Sequence, residues 1–185
     1  MKISTKDMVI VAMFTALTAI GAFLSIPLGN VPISLQSLFT IMSGLILGSK
    51  LGTLSQIVYV LLGLIGLRIF AGFTGGLETV LKPSFGYLIG FIFASYIIGK
   101  ITYTKKNLSF KRILLASIIG TFVIYAFGIP YMYLILNKVM DANISFMTAL
   151  KTGCLVFLPG DFLKAIVASY VSIKVIPKIK LVENK

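Results

Sequence analysis

Asp161 and Lys164, in the run FLPGDFLKA from Phe157 to Ala165, set an acid and a base three positions apart inside an otherwise apolar segment. On a helix, positions i and i+3 share a face with Cβ atoms ~5–6 Å apart, so the two charges can neutralise each other or grip one ligand together. Pro159 and Gly160 interrupt the apolar run, which puts Asp161 where a helix N-cap would be, its carboxylate able to accept from the first N–H groups of a new helix. The plainer accounts are therefore a cap for Asp161 and, for Lys164, a side chain snorkelling to lipid headgroups. Ionisable groups paired within an apolar segment are a functional hypothesis by default, and a ligand-facing pair is the reading carried forward.

Two further stretches carry polar groups that an apolar chain does not need. VPISLQ, ending at Gln36, is one; RIFAGFTGGLETVLKPSFGY, from Arg68 to Tyr87, is the other. Gly75, Gly76 and Gly86 admit tight turns or let backbone come close to a ligand, because they carry no Cβ; they also fit a simple external turn. Arg68, Glu78 and Lys82 fit a solvated loop as well as a binding rim, Gln36 could face water, and Phe85 and Tyr87 could be packing or interfacial anchors. A catalytic constellation is missing. With no histidine, a single cysteine (Cys154) and five acids there is no nucleophile beside a base, no Cys/His metal pattern and no disulfide, so no catalytic residue, metal or cofactor is expected.

These groups need elements to hold them, and the composition says which kind. Of 185 residues 58% are hydrophobic and 12% charged, with mean hydropathy +1.03, too apolar for an ordinary soluble domain. Apolar runs predict spans at Met8–Leu24, Leu38–Leu47, Leu54–Phe70, Pro83–Ile101, Ile113–Leu136 and Asp161–Ile176, with a short amphipathic helix over Ser145–Thr152. Leu38–Leu47 is short for a bilayer and must borrow from Val31–Ser37 or sit obliquely. No linker, repeat or low-complexity tract divides the chain, so residues 1–185 are read as one all-α domain, a polytopic six-helix membrane bundle. The first run follows Lys2 and Lys6 like a signal peptide, but no cleavage site leads into a soluble domain, and it is kept as a helix of the mature chain.

The net charge of +12 could suggest nucleic acid, yet the basic residues follow the membrane. With the N-terminus inside, twelve of the 17 fall on the cytoplasmic side (Lys2, Lys6, Lys50, Lys100, Lys105, Lys106, Lys111, Arg112, Lys174, Lys178, Lys180, Lys185) and four outside (Arg68, Lys82, Lys138, Lys151). That asymmetry obeys the positive-inside rule and places both termini in the cytoplasm of a multi-pass cell-membrane protein, with lipid rather than nucleic acid as the neighbour. The run KKNLSFKR, Lys105 to Arg112, then needs no role beyond a topogenic loop. The three polar stretches all fall on the outer side. In the first span Ala12 and Ala16, with Thr15, Ala19 and Gly21, form a small-residue surface suited to close helix approach, within the bundle or against a partner.

In their order and spacing, VPISLQ, GGLETVLKPSFGYLIGF and FLPGDFLK resemble the BioY family, the biotin-binding S components of energy-coupling factor transporters, over nearly the whole chain. The resemblance implies a prokaryotic six-helix vitamin-binding subunit that holds biotin near the outer face and works with a transmembrane coupling subunit and separate ATPases. It makes Asp161 and Lys164 ligand residues, with Gln36, Thr74, Gly75, Tyr87, Arg68 and Glu78 as further candidates, Thr74 standing nearest to the polar position of the family's glycine-rich stretch. Biotin's ureido N–H groups suit a carboxylate, its fused rings suit apolar walls, and its valerate wants a cation or solvent. Ala12 and Ala16 match the face that docks the coupling subunit. Arg68 and Lys82 depart from the pattern, standing where proline and glycine are common. The chain carries no G-x-x-x-x-G-K-[ST] loop, so ATP hydrolysis falls to partners. Competing readings are an S component for another vitamin, a proton-coupled secondary transporter using Asp161 and Lys164 as a relay, and an intramembrane enzyme; absent inverted repeats and the missing catalytic constellation count against the last two.

Overall fold

Caps and glycines set where the helices begin and turn. Ser4 opens α1 (Thr5–Phe23) with a capping box: its hydroxyl accepts from the Asp7 amide at 3.1 Å, and the Asp7 carboxylate accepts from the Ser4 amide at 3.0 Å. A computed structural model describes residues 4–27, 29–103 and 109–183, with side chains to residue 178. After α1 come α2 (Gln36–Leu64), α3 (Phe85–Tyr103), α4 (Phe110–Lys138), the short α5 (Phe146–Leu150) and α6 (Leu158–Glu183). Among the described residues, five helical stretches are long and apolar enough to cross a membrane: Thr5–Phe23, Gln36–Leu64, Phe85–Tyr103, Phe110–Lys138 and Phe146–Lys178. Two-residue strands β1 (Ser25–Ile26) and β2 (Ile33–Ser34) pair antiparallel in the loop before α2.

α2 is not one rod. At Gly48 the backbone turns to φ 76°, ψ −176°, a conformation open to glycine without strain, and the chain reverses there. Residues 36–47 and 49–64 pack back against each other as antiparallel arms, with Gln36 bonded to Tyr59 at 2.6 Å and Thr40 bonded to Gln56 at 3.1 Å. Where a loop was expected between Leu47 and Leu54 there is a single reversing residue.

Between the arms and their neighbours runs a buried polar seam. The Gln56 amide nitrogen lies within hydrogen-bonding reach of Thr18 (3.3 Å), Ser43 (3.2 Å) and Ser55 (3.2 Å). Its carbonyl accepts from Thr40, Ser43 meets Ser95 of α3 at 3.0 Å, and Thr15 donates to the Ser55 carbonyl at 3.0 Å. With no water at that depth, such side chains find partners across helices, and the seam ties α1, both arms of α2 and α3 together. Ser117 and Ser169, 3.1 Å apart, join α4 to α6 in the same way.

The loops that follow α1, α2 and α4 gather at one end of the bundle. Phe23 stacks on Phe73 with ring centroids 5.0 Å apart, and the Tyr131 hydroxyl of α4 donates to the Val80 carbonyl at 2.5 Å. Gly48 lies at the other end, against the Tyr103 ring.

Several sequence expectations need correcting. The span read as Leu54–Phe70 stops at Leu64, because Gly66 takes φ 112° and residues 65–76 fold as turns. Pro159 and Gly160 do not break the chain's helical course: α6 begins at Leu158, and the Asp161 amide already donates to the Phe157 carbonyl at 2.9 Å. Proline is tolerated there because the first helical turn needs no internal amide partner. Asp161 is therefore a residue of the first turn and not a cap. The basic positions Lys2, Lys105, Lys106 and Lys185 lie outside the described residues, as does the Lys180 side chain and the start of the run from Lys105 to Arg112.

Candidate functional site

At the loop end the helices enclose a cavity of about 730 Å³, counting the space at its mouth, within the range of small-molecule sites. Four parts of the chain wall it: Val31 to Ser37, Phe70 to Phe91, Thr121 to Tyr125 on α4, and Phe157 to Lys164 at the start of α6. Aromatic and aliphatic side chains, among them Phe70, Phe85, Leu88, Phe91, Ile124 and Phe157, supply most of the surface.

The charged pair sits in this wall. Lys164 Nζ is 2.8 Å from Asp161 Oδ1, with side-chain exposures of 11% and 10%, so both ions are largely withdrawn from the surroundings. Isolated buried charges are costly and persist only when paired and hydrogen-bonded, and the neighbours meet that need. Ser37 donates to Asp161 Oδ1 at 3.3 Å while accepting from Lys164 at 3.2 Å, and the Tyr125 hydroxyl donates to Asp161 Oδ2. A carboxylate has about four acceptor positions and an ammonium three donors. Three of the acceptors and two of the donors are used, which leaves the pair with one of each. The open positions complement a ligand group that carries an N–H beside a C=O.

The other candidate residues divide by position. Gln36 is buried in the wall; its carbonyl accepts from Ser34 at 2.8 Å and its amide donates to Tyr59, which donates onward to the Ile69 carbonyl at 2.9 Å. That relay pins the VPISLQ loop to the turn after α2. Thr74 lines the cavity from that turn, its hydroxyl bonded to the Ala71 carbonyl at 3.2 Å. Tyr87 lines it from α3 and donates to the Gly153 carbonyl at 2.8 Å, fixing the wide π-type turn over Lys151–Leu155 that leads into α6. Gly75 does not reach the cavity; a Cβ there would fall on the Leu67 carbonyl, so its place is set by close packing within the loop. Arg68 and Glu78 are exposed and lie outside the cavity wall.

Several wall residues escaped sequence reasoning, and three of them carry a charge or a bond to the charged pair. Tyr125 was one aromatic among many in an apolar span, and Ser37 one serine after a motif that had been read to end at Gln36. Their partners lie 36 and 124 residues away, distances at which no periodicity gives a signal. Lys82, noted only as a rim residue, faces the cavity.

On α1 the small-residue surface splits in two. Thr15 and Gly21 are buried in the bundle, whereas Ala12 and Ala16 are exposed, with Met8, Met13 and Ile20 beside them.

Comparison with known proteins gives concordant matches. A family model described as "BioY family" matches residues 1–180. A "Probable biotin transporter BioY" of Lysinibacillus sphaericus is 41% identical over 166 residues, 90% of this chain and 84% of that protein. The "Biotin transporter BioY" of Thermotoga maritima is 36% identical over 169 residues, 91% of this chain and 95% of its own length. A solved structure described as the S-component for biotin from an ECF-type ABC transporter superposes with a TM-score of 0.79 at 32% identity, covering 90% of this chain and 88% of that one.

Proposed function

The chain belongs to the BioY family, and from that premise we propose that it is the biotin-binding substrate-specificity subunit of an energy-coupling factor importer, a transport protein and not an enzyme. The observation that carries the reading is the cavity that joins the VPISLQ loop, the glycine-rich stretch and the Asp161–Lys164 pair around one apolar space. Its open acceptor and donor suit one N–H and the C=O of biotin's ureido ring, and its Phe and Leu walls suit the fused rings. Asp161, Lys164, Gln36, Thr74 and Tyr87 are the ligand-facing members of the sequence set, joined by Ser37 and Tyr125.

The two arms of α2, read as separate spans, bring the crossings to six with both termini on the cytoplasmic side of a multi-pass membrane protein, and the cavity then opens outward. The exposed Ala12 and Ala16 face is the docking surface for the coupling subunit, through which ATPase subunits supply energy.

Calorimetric titration of the purified chain with biotin, thiamine and riboflavin, without ATP, tests the substrate. Biotin is expected to bind with at least submicromolar affinity and the others far more weakly; tight binding of thiamine or riboflavin in place of biotin would keep the class and replace the ligand.

Tyr125→Phe keeps the ring and deletes the donor on Asp161 Oδ2. The expected result is a loss of about 1–2 kcal/mol in biotin affinity, the worth of one hydrogen bond to a charged group. In an Asp161→Asn background the same change is expected to cost almost nothing, since the tyrosine acts through the carboxylate. Additive losses would make Tyr125 a packing residue.

A further inference from the structure

We infer that Lys82 is the cation that receives the carboxylate of the bound ligand, an assignment that rests on the biotin reading and extends it to the far end of the molecule. Lys82 follows the short turn Leu77–Leu81, precedes Pro83 and lines the same cavity as Asp161 and Lys164. The Asp161–Lys164 pair is neutral as a unit, and each member spends most of its bonding capacity on the other, on Ser37 and on Tyr125. Lys82 differs. Among the described residues it makes no ion pair and no side-chain hydrogen bond, and the nearby acid in sequence, Glu78, is exposed and not paired with it. The cavity wall therefore carries one uncompensated positive charge.

A half-buried ammonium without an acid partner is stabilised by an anion that enters with the ligand. A ligand whose polar ring sits against the Asp161–Lys164 pair, and whose chain ends in a carboxylate ionised at neutral pH, supplies one negative charge, so the loaded cavity is neutral. The ring end and the acid end are then read by different lysines. Lys164 is committed to the ring through its remaining N–H, and Lys82 to the acid.

The test compares biotin with its methyl ester, which keeps the ring and chain and removes the charge, by calorimetry on the purified full chain. Wild type is expected to prefer biotin by roughly tenfold to a hundredfold, the worth of a charge-assisted hydrogen bond. Lys82→Met is expected to bring the two ligands within about twofold of each other while leaving the ester's affinity near its wild-type value, and Lys82→Arg to keep the preference. Lys151→Met serves as the control, because Lys151 is exposed, follows α5 and does not line the cavity. A preference that survives in Lys82→Met, or that Lys151→Met lowers as much, overturns the assignment. Should Lys82→Met not fold, wild type still decides: equal binding of acid and ester sinks the role of Lys82 alone, whereas binding of neither ligand sinks the biotin reading and this one with it.

Discussion

Asp161→Ala is expected to weaken biotin binding by about 2–5 kcal/mol, and Lys164→Ala by a similar amount, because on the proposed reading each change removes a ligand contact, and each strands a largely buried partner charge. Asp161 is 8% exposed and holds three donors, so its loss also unties Ser37 and Tyr125 from the start of α6. Single variants cannot separate the lost contact from the stranded charge, but the double variant can. In Asp161→Ala/Lys164→Ala neither charge of the pair is left stranded. If the pair meets the ligand, affinity stays low in the double variant while thermal stability in detergent returns toward wild type. Recovery of affinity alongside stability, or near-wild-type affinity in both single variants, would make the pair a structural tie between α6 and the α2 arm.

The second large effect separates binding from transport. Ala12 and Ala16 are exposed one turn apart on either side of the middle of α1, and neither lines the cavity at the loop end. Tryptophan at both positions is expected to leave detergent-solubilised protein binding biotin within about twofold of wild type, yet to abolish copurification with the coupling module and biotin uptake in cells, since close helix approach depends on small side chains. Uptake at wild-type level would refute the docking face. So would loss of biotin binding together with uptake, which would return the alanines to the bundle's own packing.

How far the molecule was readable from its sequence depends on the range over which each feature is determined. Spans set by local hydropathy were placed closely: Met8–Leu24 against α1 (Thr5–Phe23), Pro83–Ile101 against α3 (Phe85–Tyr103), Ile113–Leu136 against α4 (Phe110–Lys138). The amphipathic stretch Ser145–Thr152 contains α5 (Phe146–Leu150). Errors fell where tertiary context overrides local signals. Pro159 and Gly160 read as a break, but a proline in a first turn removes no helical hydrogen bond, and the chain runs on through them. The break between Leu47 and Leu54 was read in the right place, but the reversal takes a single residue, Gly48, where a loop was expected. In the site, motif residues with charge or amide groups announced themselves, and Asp161, Lys164 and Gln36 are in the wall. Tyr125 and Ser37 did not, because a hydroxyl in an apolar span acquires its meaning only from the carboxylate it meets across the bundle. Arg68 and Glu78 show the converse: charge in a loop is conspicuous in a sequence even when it lies outside the cavity.

The polar seam around Gln56 bears on how the chain enters a bilayer. The arm 36–47 is about 18 Å long, well short of the ~30 Å hydrocarbon core, and carries Gln36, Thr40 and Ser43. Alone in lipid it would be both too short and too polar to rest there, and the arm 49–64 would bring Gln56 with only its neighbour Ser55 to bond it. The arms bond to each other, and the arm 49–64 bonds also to Thr15 and Thr18 of α1, which leaves the ribosome first. α1 and the two arms therefore satisfy these groups only together, once the reversal at Gly48 has been made, and a closed hairpin enters lipid at lower cost than either arm alone.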